Sequence, residues 1–206
     1  MMANRRSKLT LPGKAGALLA LLIAGLLLAG CLPKSRQPID TIEHALNEPR
    51  LAGVWTGKFE NETTYAHFLP DGAAYDVLVV SHRDDDGEHR GTWSRYRLYP
   101  TRVGAETYMN VQVVSDDGKP AGPEGEFYHF LRYTISNAGE LAVWSISPEA
   151  VEKDIAKGLK GEVLKKILGD DVVIEATPAE IRAWLQGSDQ QVLFKSRIAL
   201  LKQINP

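Results

Sequence analysis

From Leu51 onward, apolar and polar positions alternate with a period of two, which predicts a succession of short strands separated by polar turns. Residues 54–60 make the first. Residues 63–69 make the second, closed by the turn sequence Pro70-Asp71-Gly72. Residues 73–81, rich in valine, make the third, and 82–90 read as a charged turn. Strands are then predicted at 91–99, 107–114, 127–136 and 141–147, with Asn137-Ala138-Gly139 as a tight turn before the last of these. The alternation is clearest where Met109, Val111 and Val113 share one face, where Phe127, His129, Leu131, Tyr133 and Ile135 share another, and where Ala142, Trp144 and Ile146 share a third. An antiparallel sheet with one buried face leaves this signature.

The period changes after residue 147. Ser147-Pro148-Glu149 supplies a hydroxyl cap, a proline at the first helical position and an acid near the positive end, predicting a helix that ends at Gly158. Residues 161–171 fit either a second helix or a hairpin, and 172–176 read as a strand. Thr177-Pro178-Ala179-Glu180 has the offsets of a capping box and predicts a helix over 178–186. Residues 193–200 are the predicted closing strand. The fold class is α+β, mainly an antiparallel β meander with two or three short helices in the C-terminal third.

The amino-terminal segment has a different character. Arg5, Arg6, Lys8 and Lys14 precede an almost purely Ala/Leu/Gly/Ile run over 15–29. That run has the length of a signal-peptide core and is shorter than the about 20 apolar residues a membrane span needs. It ends in Leu28-Ala29-Gly30-Cys31, which resembles the lipobox of bacterial lipoprotein precursors. The resemblance implies cleavage after Gly30 and acylation of Cys31, hence attachment to a membrane of the bacterial envelope, facing the periplasm. Leu32 stands where a retention aspartate would favour the inner membrane, so the outer membrane is expected. An uncut amino-terminal anchor is the other reading of this segment. Residues 1–30 are then a signal peptide, 31–50 a lipid-anchored tether and 51–206 the folded domain.

Charge and cysteine content narrow the function classes. The 206-residue chain has 24 basic and 26 acidic residues; removing residues 1–30 takes away four basic and no acidic ones, leaving 20 against 26. An acidic domain without a basic patch argues against a nucleic-acid partner. Cys31 is the only cysteine, so the domain is expected to hold together without disulfides.

Chemistry-bearing motifs are sparse. The stretch 82–89 gathers His82, Asp84, Asp85, Asp86, Glu88 and His89, yet His82 and Trp93 stand where a calcium-binding loop built around Gly87 would need acids. It reads as a solvated hairpin tip, and Asp116-Asp117-Gly118 as a turn. His129 lies on an apolar strand face, as a core or pocket histidine. No nucleophile elbow, phosphate loop or dinucleotide glycine pattern is present, so no cofactor or metal is expected. A catalytic group assembled from distant residues remains open. The aromatics are more suggestive. Trp55, Tyr75, Trp93, Tyr96, Tyr108, Phe130 and Trp144 recur across the strands. They either fill a core or, together with His129, line an apolar pocket.

Gly53-Val54-Trp55 at the head of the meander resembles the Gly-x-Trp motif of lipocalins and their calycin relatives. The resemblance implies an up-and-down barrel around a small hydrophobic ligand. It also implies a cation from the last strand, Arg197 or else Lys195, packed on Trp55. The helices after Ser147 depart from the plain lipocalin pattern. Three function readings follow. The first is a non-enzymatic lipoprotein binding an apolar or amphipathic small molecule. The second is an envelope protein-interaction module, and the third a hydrolase with scattered catalytic groups.

Overall fold

A computed structural model describes residues 32–59, 62–85, 88–165 and 170–204. The described residues open with β1 (Lys34–Ser35) and then run through two short 3-10 turns to β2 (Gly53–Phe59). The strands β3 (Glu62–Asp71), β4 (Ala74–Asp85), β5 (Glu88–Val103) and β6 (Glu106–Asp116) follow. Next come β7 (Lys119–Pro120), β8 (His129–Ile135) and β9 (Glu140–Ser145), then helix α1 (Pro148–Ala156). The remainder is β10 (Gly161–Leu164), β11 (Asp171–Ile174), α2 (Pro178–Gly187), α3 (Gln190–Leu193) and β12 (Ser196–Ile204).

Eight antiparallel strands close a barrel in the order β2-β3-β4-β5-β6-β8-β9-β12, with β12 returning to β2. The predicted meander is therefore correct, and the architecture is lipocalin-like. Alternation along the strands explains its filling. Side chains at every second position point inward, and they are large. Trp55, Phe68, Tyr75, Tyr96, Met109, Tyr133 and Leu141 pack into one buried cluster with Val77, Leu98, Val111, Val113, Leu131, Val143 and Leu201. Trp55 and Leu141 have no exposed surface at all. Gly57 is an inward position with no side chain. A Cβ there would come within 2.6 Å of Leu201 Cδ2 and 2.8 Å of the Leu200 carbonyl, so Leu201 fills the space a larger residue would take.

A second core lies outside the barrel wall. Tyr108, Phe130 and Ile146, from outward positions or the end of β9, pack against Val151, Val172, Ile174, Ile181, Leu185, Leu193 and Phe194 of the helical layer. The capping signals read from the sequence are formed. Ser147 Oγ accepts from Ala150 N, and Thr177 and Glu180 make the reciprocal capping box. Residues 161–164 resolve as a strand, β10, antiparallel to β11. Among the described residues no helix is long and apolar enough to cross a membrane.

Three expectations need correction. Residues 82–90 are mostly strand, since β4 runs to Asp85 and β5 resumes at Glu88; positions 86 and 87 lie outside the described residues. The closing strand starts at Ser196 rather than 193, because Asp189 caps a short helix through its carboxylate to the Gln191 and Val192 amides. Most of the expected tether, the part from residue 32 on, is packed. Leu32 is 5% exposed and belongs to the barrel core. Lys34 and Ser35 pair in parallel with β11, and Ser35 exchanges two 2.8 Å backbone hydrogen bonds with Tyr128. The polar composition that suggested a free tether serves a buried ion pair, Lys34–Asp171, and backbone pairing instead.

Candidate functional site

The predicted pocket residues do not converge. Strand parity divides them, because neighbours in sequence point to opposite faces. Trp55 and Tyr75 are inside the barrel, and His129 lies on the inward register of β8, opposite Val111. Tyr108 and Phe130 are outside, in the second core, with Trp144 half-buried against it. Trp93 is exposed on the outer wall, at 43%. Grouping His129 with Phe130 as one lining was wrong for this reason.

Three of the buried aromatic side chains find partners for their polar ends within the chain. Trp55 Nε1 donates to the Leu51 carbonyl at 2.8 Å, and Tyr75 Oη donates to the Glu48 carbonyl at 2.8 Å. Both seal the barrel end where residues 48–51 lie. Glu48 is itself gripped by Arg50 through two bonds of 2.7 and 2.6 Å, which hold its carboxyl below the usual range. Tyr108 Oη donates to Gln190 Oε1 at 2.7 Å. Burial pushes the Tyr96 phenol up to about 12.

Inside the barrel, the Tyr96 and Tyr133 hydroxyls and the His129 ring lack a partner of good geometry. His129 is 2% exposed. Burial lowers it to about 4, against the backbone of Pro33 and Glu124, which favour the proton, and with Lys34 opposing it. With that shift the His129 imidazole is neutral at pH 7.

The expected stack of Arg197 on Trp55 is not formed. Trp55 pairs in register with Gln203, whereas Arg197 pairs with Trp144 at the other end of β12. Lys195 instead contacts Glu149 at 3.3 Å. The cation over an indole is Arg132, which the sequence reading missed. Its guanidinium lies 4.7 Å from the Trp144 ring and 6.0 Å from Phe194, on the outer wall of β8. The expected acylation site, Cys31, and the preceding Leu28, Ala29 and Gly30 lie outside the described residues.

A cleft of about 670 Å³ opens between α1, α2 and α3, away from the barrel interior. Its apolar lining includes Ala150, Leu159, Ala183, Trp184, Val192 and Leu193. Lys153, Lys157 and Lys160 line it too, with Asp154, Glu180 and Asp189. Helical spacing makes the site: Ala150, Lys153, Asp154 and Lys157 recur three and four apart on α1 and the turn after it. Gly158, with φ of +116°, turns the chain so that Leu159 and Lys160 fold back beside it. All three acids have internal work. Asp154 accepts from Trp184 Nε1 at 3.0 Å and from Lys157 at 3.2 Å. Glu180 belongs to the capping box and also meets Lys160, and these contacts lower it to about 2. Asp189 caps α3. The result is an apolar recess with a polar, cation-bearing rim. The aromatic it uses, Trp184, is one that the strand-based reading passed over; its place one turn from Glu180 on a capped helix was the available signal.

No family model, curated protein or solved structure matches this chain.

Proposed function

We propose that this is a lipid-anchored protein of the bacterial envelope that binds an amphipathic small molecule in the cleft between α1, α2 and α3. The observation that carries the binding reading is the pairing of a filled barrel with that external cleft. Small barrels either fill their interior or hold a ligand there, and this one is filled with Trp and Tyr. The cleft volume falls within the range of about 300–1,000 Å³ typical of small-molecule sites, and its apolar floor with a few polar groups suits an amphiphile. The anchoring part of the proposal rests on Leu28-Ala29-Gly30-Cys31, with Leu32 favouring the outer membrane and a periplasm-facing domain.

Titration of the folded domain with dodecanoate tests the binding. Trp184 emission should change saturably, and Trp184→Phe should lose the response. Ala183→Trp, which fills the floor, should weaken binding at least about tenfold while leaving thermal unfolding near that of the parent. Equal binding by Ala183→Trp and the parent would remove the cleft from the account.

An interaction module is the second reading, and one observation favours it. Tyr65, Val80 and Trp93 stand in register across β3, β4 and β5 and are 43, 36 and 43% exposed. Adjacent exposed apolar side chains of this size mark contact surfaces more often than chance.

A further inference from the structure

Residue 31 is one peptide unit from a buried residue. Leu32 is 5% exposed and packs with the barrel core. Beyond it the strap is tied at every step. Lys34 Nζ, on a side chain only 9% exposed, reaches Glu124 at 3.0 Å and Asp171 at 3.4 Å. It also lies 4.7 Å from the Phe127 ring centroid, with Arg36 at 5.4 Å from the same ring. Ser35 is fully buried and pairs with both Ile174 and Tyr128, and the Arg36 amide donates to the Ile174 carbonyl at 3.1 Å. The strap then descends the outer wall, where the Ile39 amide donates to Asn110 Oδ1 at 2.7 Å.

We propose that the domain sits directly on the bilayer, with the barrel end that carries Leu32, Glu126 and Phe127 against the lipid surface. The proposal rests on acylation of Cys31. Consecutive Cα atoms are about 3.8 Å apart, so acyl chains on residue 31 leave no slack in which the domain could stand off. Polar residues 33–38, which would give a free tether its reach, are consumed by β1, the buried lysine and the Tyr128 bridge. The opposite end, with the turn at 136–139 that follows β8, then faces away from the membrane. A protein held this way meets partners and ligands at the membrane that anchors it and does not reach across the envelope.

Because thioether formation consumes Cys31, an engineered cysteine can be labelled alone. Glu126→Cys and Ala138→Cys place an environment-sensitive fluorophore at exposed positions near and far from the anchor. The processed full-chain protein is reconstituted into phosphatidylcholine vesicles with or without brominated acyl chains. The probe at 126 should lose roughly half its emission or more in brominated lipid, and the probe at 138 should be unchanged. Inserting about twelve Gly/Ser residues between Cys31 and Leu32 adds up to ~40 Å of reach and should cut the quenching at 126 several-fold. Equal quenching at both positions, no quenching at 126, or quenching that survives the insertion overturns the seating. Mass spectrometry of the same preparation separates the two levels: a chain without acylated Cys31 overturns the lipoprotein reading along with the seating, whereas an acylated chain with an unquenched probe at 126 overturns the seating alone.

Discussion

Two residues that carry no catalytic signature decide much about this protein. Asn110 is fully buried on the outer face of β6, with Oδ1 on the Ile39 amide and Nδ2 on Thr101 Oγ1 at 2.9 Å. Asn110→Ala would orphan the Ile39 donor, a loss of about 1–3 kcal/mol, which urea unfolding would register as a lower midpoint. His129 sets a pH dependence. The unfolded imidazole takes up its proton near pH 6.5, the folded one only near 4. Between these values the unfolded state binds more protons, so stability is full above pH 6.5, falls through the window and levels off below 4, by about 3 kcal/mol in all. Asp40, Glu48, Glu149 and Glu180 are held below their usual values of 3.8–4.5, so their losses set in as pH falls to within about one unit above that range and grow below it. The interval from pH 6.5 to about 5.5 therefore reports His129. His129→Met should flatten the melting temperature across it; an unchanged slope would assign the effect elsewhere.

Among the elements, the strap over residues 32–51 matters most and was least legible. Its lysine sits between two acids from distant segments, an arrangement whose breakage typically costs 3–5 kcal/mol when fully buried. Lys34→Met should destabilise the domain by about 2–3 kcal/mol and raise hydrogen exchange at the Ser35 and Arg36 amides before the barrel amides; uniform exchange would mean that the strap is not a separate unit. Lys34, Glu124 and Asp171 are far apart in sequence, and no local pattern pairs them. The strands and both longer helices were legible, because period-two alternation and caps such as Thr177-Glu180 are local facts. Thr177→Ala should cost about 1 kcal/mol, read by thermal melting. The aromatic site was misread for a related reason. Trp55, Tyr108, Trp144 and the others were grouped by type, while the pleat sends Met109 inward and Tyr108 outward from adjacent positions. The partner of Trp55 was misplaced because register, not sequence order, puts Gln203 beside it.

At the scale of the whole molecule, the barrel is a filled scaffold flanked by a second core, and the recess suited to a ligand lies among the helices beyond it. Arg132, between Trp144 and Phe194, and Tyr108, bonded to Gln190, fasten that helical layer to the wall. The proposed acylation of Cys31, with the strap below it, would hold this assembly at a membrane, where amphiphiles are found. The location of bound amphiphile is therefore the most direct test. A fatty acid carrying a photoreactive diazirine on its chain, bound to the intact protein, irradiated and mapped by peptide mass spectrometry, should label residues 150–160 and 183–193. Labelling confined to inward-facing barrel residues such as Met109, Val111 or Leu141 would contradict the account.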